Sequence, residues 1–451
     1  HTDKAGANRE INQGNWRFKM AENIATRYLI IGNSAGGISA AAAIREVDQT
    51  GRITIVSDEP YAVYSRPLIA DYLAGKRGID DISYRAAGLH EGDNILTLSG
   101  KHAVKLDSAG HQVSLANGDS ITWEKLLLAT GGVPIVPAMP GRERKGVFTF
   151  TTLDNARNIR SYLDHEMNGI MREQVVVVIG GGLIGMSVSE ALTECGIRVV
   201  VVEMKDYLLN TILDAESGGI AAAAVKSAGV RIVTGHTVSV INGETDGAVS
   251  SVTLDDGSRI SCRMVVVAIG VRPNTALVAG TAIKTDRGIL VDRHMATSIP
   301  GIYACGDVAQ AYDFVLGSER LSPVWPNACL GGRTAGLNMA GMDVAYPGGT
   351  PMNSIKYFGL EMATAGVVNP ADDSYEIVKG TGKNVFRKLV LKEGRICGMV
   401  FAGNVEKCGV IFGLMKDKAV VSGYQGLLVA EELNMAALPE EIWQTKIRLP
   451  A

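Results

Sequence analysis

The feature that most constrains this chain is a unit written twice: an apolar strand, a glycine-rich turn, a helix of small residues and a second apolar strand. It appears first as Tyr28-Leu-Ile-Ile-Gly32, a helix over Ile38–Val47 and a strand over Arg52–Ser57. It returns as a strand over Val175–Gly180, a helix over Leu183–Cys195 and a strand over Ile197–Glu203. These strands carry Val and Ile on both faces, which suits parallel sheets covered by helices on each side. The chain therefore reads as α/β with two Rossmann-like dinucleotide-binding domains. Glycine supplies 53 of the 451 residues, well above a usual share of about 7%. Such an excess belongs to a fold with many tight turns and close backbone approaches.

Each turn is a variant of one fingerprint, in which the first glycine makes the turn, the middle one lets backbone reach a pyrophosphate and the last allows close helix–strand packing. The first loop is Gly32-Asn-Ser34-Ala35-Gly36-Gly37, with Ser34 in the middle position. Serine is small, and its hydroxyl can donate to a phosphate. The second, Gly180-Gly-Gly182-Leu183-Ile184-Gly185, fits the full pattern. Glu203 ends the next strand, where an acid can bind a ribose 2′-hydroxyl and would repel a 2′-phosphate. That favours NAD(H) over NADP(H), with Lys205 nearby as the opposing influence. The plainer alternatives are an ordinary strand–helix turn for the first loop and a nucleotide-free Rossmann-like domain for the second. Spacing alone gives two dinucleotides and leaves open which one is a flavin.

Composition narrows the classes. Lys and Arg total 44 against 47 for Asp and Glu, a net charge of -3, so a general nucleic-acid binder with a basic face is not expected. The uncharged run Gln174–Ser189 has sixteen residues and is broken by four glycines. A spanning helix wants about 20 apolar residues, so no membrane span is expected. Six cysteines show no CxxC, and seven histidines show no HExxH. The expectation is a reduced, cytoplasmic, metal-free chain.

Residues 1–24 read as a polar N-terminal arm. Hairpins are expected around Asn117-Gly118 and Asp256-Gly257, each followed by an apolar strand ending in glycine, Leu126–Gly131 and Met264–Gly270. A break at Tyr346–Pro351 starts a last region of mixed strand and helix signals.

Further motifs carry a resemblance. Tyr64-Ser-Arg-Pro67, Leu128-Ala-Thr-Gly131, Ala268-Ile-Gly-Val-Arg-Pro273 and Thr297-Ser-Ile-Pro-Gly-Ile-Tyr-Ala-Cys-Gly-Asp307 resemble markers of the FAD-dependent pyridine nucleotide–disulfide oxidoreductase superfamily. Within it the chain looks most like the branch of rubredoxin and ferredoxin reductases, NADH oxidases and the flavin segment of nitrite reductases. The resemblance covers roughly residues 27 to 440.

It implies FAD at the first glycine loop and NAD(H) at the second. It implies an FAD domain over 25–145 and 273–347, an NAD(H) domain over 146–272, and a C-terminal α+β interface domain over 348–451. Asp58 and Glu59 would lie at the adenosine ribose, Arg66 at the flavin and Val104 on the strand that meets the adenine. Ala129, Thr130, Gly131 and Gly270 belong to the cofactor-contacting markers, and Gly306-Asp307 would meet the ribityl chain. Trp325–Ala328 would lead into a helix aimed at the flavin.

Two departures matter. The stretch Tyr64–Tyr72 holds no cysteine, Pro67 standing in its place. Asp71 and Ser187 occupy positions where relatives carry a Lys–Glu pair. The function implied is an FAD-dependent NAD(P)H oxidoreductase that moves electrons between NAD(H) and an iron–sulfur partner or complex subunit without a redox-active cysteine. The alternatives are a stand-alone NADH oxidase using oxygen and a non-catalytic flavin-binding scaffold.

Overall fold

A computed structural model describes residues 22–84, 94–167, 174–245, 247–383, 385–431 and 439. Most of the expected arm, residues 1–21, lies outside these.

In chain order, the first part comprises β1 (Asn23–Ile31), α1 (Ala35–Val47), β2 (Ile53–Ser57), α2 (Ile69–Leu73), β3 (Ile95–Ser99), β4 (Ala103–Asp107), β5 (Gln112–Leu115) and β6 (Ser120–Leu128). The middle runs β7 (Gly132–Pro134), β8 (Val147–Thr149), α3 (Leu153–Glu166), β9 (Val175–Ile179), α4 (Leu183–Glu194), β10 (Arg198–Glu203), α5 (Ala215–Ser227) and β11 (Arg231–Thr234). It continues with β12 (Val238–Gly243), β13 (Val249–Leu254), β14 (Arg259–Ser261), β15 (Met264–Val267) and β16 (Val271–Pro273). Then come β17 (Ile289–Leu290), β18 (Ile302–Ala304), β19 (Ala309–Asp313), β20 (Ser318–Leu321) and α6 (Trp325–Met339). The last part is β21 (Met352–Tyr357), β22 (Leu360–Gly366), β23 (Glu376–Gly382), β24 (Val385–Lys392), β25 (Arg395–Ala402), α7 (Cys408–Lys416) and α8 (Gln425–Leu428).

The first sheet runs β3-β2-β1-β6-β5-β4, with β18 added to β6. β1 begins at Asn23, inside the expected arm, because Asn23–Thr26 pair with Ser120–Trp123 of β6. The expected hairpin and the apolar strand after it are one element. β6 runs parallel to β1 along its length, and its other edge starts antiparallel to β5 and ends parallel to β18. The second sheet, β11-β10-β9-β15-β8, is parallel throughout. Its valines are buried on both faces, as the sequence pattern requires.

The chain leaves the first sheet through β7 and returns through β16, and these two short strands pair antiparallel, Gly132 opposite Pro273. The C-terminal sheet β21-β22-β25-β24-β23 is antiparallel. Its own core, around Leu389, Met399 and Phe401, is closed by α7.

Candidate flavin and nucleotide sites

The first glycine loop leaves β1 at the carboxyl ends of the parallel strands, where ligands of such sheets bind. Gly32 has φ +121°, and a Cβ there would lie 2.1 Å from the Ala129 carbonyl oxygen. A Cβ on Gly37 would lie 1.9 Å from the Gly32 carbonyl oxygen. Both positions therefore require glycine, one for its turn and one for helix–strand contact. Ser34 caps α1 without using its hydroxyl on the helix, and the first turn, Ala35-Gly36-Gly37, carries no acid. Asn33 has a buried side-chain oxygen with no partner. Open amides at a helix start and an orphaned polar atom fit a bound phosphate.

Gly306 and Asp307 follow β18 and pack against α6. The Asp307 carboxyl accepts no hydrogen bond from the described residues. Burial pushes its pKa above the ordinary value, and the charge of Arg66 pulls the other way. Arg66 is ion-paired with Glu59 and donates to the Thr151 carbonyl at 2.8 Å. Glu59 also accepts from the Tyr64 hydroxyl at 2.5 Å, and that hydroxyl accepts the Leu153 amide at 3.0 Å. The Tyr64–Arg66 segment is thus tied to the start of α3, and Glu59 serves as a brace for Arg66.

Asp58 is exposed and pairs with His102 at 2.9 Å. Val104 is 50% exposed, whereas its neighbour Ala103 packs on the core. Both lie on β4, where successive side chains alternate faces. Thr130 donates to the Asn274 carbonyl at 2.7 Å. Gly131 has φ +68° with open space beside it.

The second loop repeats this construction. Gly180 has φ +107°, and a Cβ there would lie 2.5 Å from the Ala268 carbonyl oxygen. A Cβ on Gly185 would come to 1.9 Å from the Gly180 carbonyl oxygen, while one on Gly182 would meet nothing within 4 Å. Gly182 caps α4, whose first turn, starting Leu183-Ile184, has no acid. Glu203 is buried, accepting the Gly181 amide at 2.6 Å and the Lys205 amide at 2.8 Å. It braces the glycine loop, a role the fingerprint alone does not reveal. Gly270 has φ +115° with open space beside it, after β15.

Asp71 pairs with Arg77 at 3.0 Å, and Ser187 is half-buried on α4. A different pair, Lys76 and Glu194 at 2.6 Å, joins the end of α2 to α4. All six cysteines are free. Burial pushes the Cys305 and Cys262 thiols up to about 12, and raises those of Cys195, Cys397 and Cys408. Such thiols stay protonated and are poor nucleophiles.

Residues 26–332 match the model of the pyridine nucleotide-disulphide oxidoreductase family, and residues 351–419 match the rubredoxin NAD+ reductase C-terminal domain. The chain belongs to the pyridine nucleotide-disulphide oxidoreductase family. It is an FAD-dependent NAD(P)H oxidoreductase.

It is 31% identical over 86% of its length to the NADH-dependent phenylglyoxylate dehydrogenase subunit epsilon of Aromatoleum evansii, covering 88% of that protein. It is 30% identical over 84% of its length to the NADH-rubredoxin oxidoreductase of Clostridium acetobutylicum, covering 92% of it. It spans only 49% of the nitrite reductase of Bacillus subtilis, at 28% identity. The crystal structure of the Clostridium acetobutylicum NADH:rubredoxin oxidoreductase superimposes with a TM-score of 0.72 at 28% identity, over 90% of this chain and 98% of that one. No helix among the described residues is long and apolar enough to cross a membrane.

Proposed function

We propose that this chain passes electrons from NADH to an iron–sulfur protein, or to a neighbouring subunit that carries such a cluster, without a redox-active cysteine. The observation that carries the reading is the pairing of two glycine loops with a Tyr64–Tyr72 segment that lacks cysteine. The relatives support the partner class, one being an NADH-rubredoxin oxidoreductase and another a subunit of a dehydrogenase.

The first loop, Arg66 and Asp307 hold FAD. The N-terminal turn of α1 takes its phosphates, and the Asp307 carboxylate accepts from its polyol hydroxyls. Bound FAD supplies a group that takes hydride from NADH and releases electrons singly. The second loop and Glu203 hold NAD(H). The Glu203 oxygens bind two backbone amides and keep capacity for a ribose hydroxyl, since a carboxylate offers about four acceptor sites. A 2′-phosphate would meet that same charge, a penalty of ~1–3 kcal/mol.

Stopped-flow reduction of the FAD-loaded protein by NADH and NADPH, followed by mixing with a rubredoxin under argon, tests this. NADH should reduce the flavin with the higher kcat/KM, and the rubredoxin should then be reduced. Cys305→Ser and Cys329→Ser should leave that turnover intact. A reduced flavin that leaves the rubredoxin oxidised under argon and is reoxidised only when air is admitted, or loss of turnover in a cysteine variant that retains FAD, would refute the proposal.

A further inference from the structure

We infer that Lys388 of the C-terminal sheet and Asn369, in the bend that follows β22, are positioning residues for the nicotinamide-nucleotide loop, an inference that rests on the reading of the second glycine loop as the NAD(H) site.

Lys388 lies on β24 with a side chain only 4% exposed, and a buried ammonium requires partners. It has two, one on the segment after β10 and one just past the end of β22 in its own sheet. It donates to the Asp214 carboxylate at 2.7 Å and to the Val368 carbonyl at 2.9 Å. Asp214 is the N-cap of α5 and accepts the Ser217 amide at 2.9 Å with its other oxygen. Beside it, the Asn369 side chain donates to the Leu213 carbonyl at 2.9 Å. The C-terminal sheet therefore grips residues 213 and 214 side by side.

Those two residues end the segment that leaves Glu203 and folds back over the glycine loop. The Leu213 and Ile212 amides both bond the Leu209 carbonyl at 2.9 Å. Leu209 has φ +55°, a left-handed conformation that a branched residue adopts only when its surroundings hold it. Its own amide donates to the Gly181 carbonyl at 2.8 Å, and the Leu208 side chain lies against Gly181. Gly181 is the residue whose amide binds Glu203. A continuous chain of contacts thus runs from Lys388 through the strained Leu209 turn to the glycine loop. Without its anchor at 213–214 the turn relaxes, and the loop loses one of its two braces.

The test uses the full FAD-loaded chain. Lys388→Met, Asn369→Ala and Glu203→Ala are compared by the NADH concentration dependence of flavin reduction, and by hydrogen exchange of residues 204–213. Asn369 is exposed, so its variant folds even if Lys388→Met does not. The Kd for NADH should rise about five- to tenfold, within the range of positioning residues outside a site. The limiting reduction rate should stay within about twofold, FAD content should be unchanged, and residues 204–213 should exchange faster.

An unchanged NADH Kd in Asn369→Ala and Lys388→Met, beside a weakened Glu203→Ala, overturns this inference alone. An unchanged Kd in all three removes the site reading and the inference with it.

Discussion

At the residue scale, Asp307 stands apart because its cost is visible. A half-buried carboxyl with no hydrogen-bond donor among the described residues, raised from its ordinary pKa by burial and near the charge of Arg66, is unfavourable unless something else satisfies it. Asp307→Asn should leave the polypeptide folded, since the side chain keeps its shape and no hydrogen bond from the described residues is lost, and should lower FAD occupancy severalfold. The flavin absorbance of the purified variant relative to its protein absorbance measures this, and full occupancy would count against the assignment.

Asp48 shows the opposite case. It accepts the Thr50 and Gly51 amides and the Tyr28 hydroxyl and pairs with Arg27, and these contacts hold its carboxyl well below the usual range. A depressed carboxylate stabilises the fold above its unfolded pKa and loses that effect as pH falls. Asp48→Asn should melt roughly 2–4 °C below the parent at pH 7. That gap should shrink on acidification below about pH 4, as Asp48 of the unfolded parent becomes protonated. A gap independent of pH would contradict the account.

Between elements, contact is set by glycine as much as by apolar area. α1 and α6 pack so closely that a Cβ on Gly332 would lie 2.1 Å from the Gly36 carbonyl oxygen, and one on Gly336 would lie 2.4 Å from that of Ala40. Gly332→Ala must part the helices, because the atom it meets is backbone. Overpacking of this kind costs ~1–3 kcal/mol. It should also lower FAD occupancy, since Gly36 belongs to the loop proposed to hold FAD. Gly409→Ala, where a Cβ would meet nothing within 4 Å, should do neither. Thermal melts and flavin content of the two variants settle it.

The elements themselves were legible wherever a period or a turn residue marks them. Both glycine loops, α4 and the Asn117-Gly118 turn stand where the pattern puts them. The start of β1 was not legible, because Asn23–Arg27 alternate without apolar emphasis and are recruited by pairing with β6. Tyr64, Lys388 and Asn369 were unreadable as braces, since Leu153, Asp214 and Leu213 lie far along the chain and a bond between distant elements leaves no local signal.

At the scale of the molecule, the architecture is one sheet that opens to admit another. The parallel β9 sheet is inserted between β7 and β16, and a third sheet holds it from the far side through Lys388, Asn369 and the Tyr357 hydroxyl on the Leu183 carbonyl at 3.2 Å. Hydride transfer demands that two bound rings meet, so the relative placement of the two glycine loops has to be governed from both ends.

The β7–β16 ladder has a consequence of its own. Because Gly132 and Pro273 are partners in that ladder, the way in and the way out of the inserted half lie only about 5 Å apart. A segment whose two ends nearly touch can be spliced in or cut out without disturbing its host. The ladder therefore makes the inserted half a transferable cassette, whose orientation in this fold is fixed by the Lys388, Asn369 and Tyr357 contacts as well as by the seam.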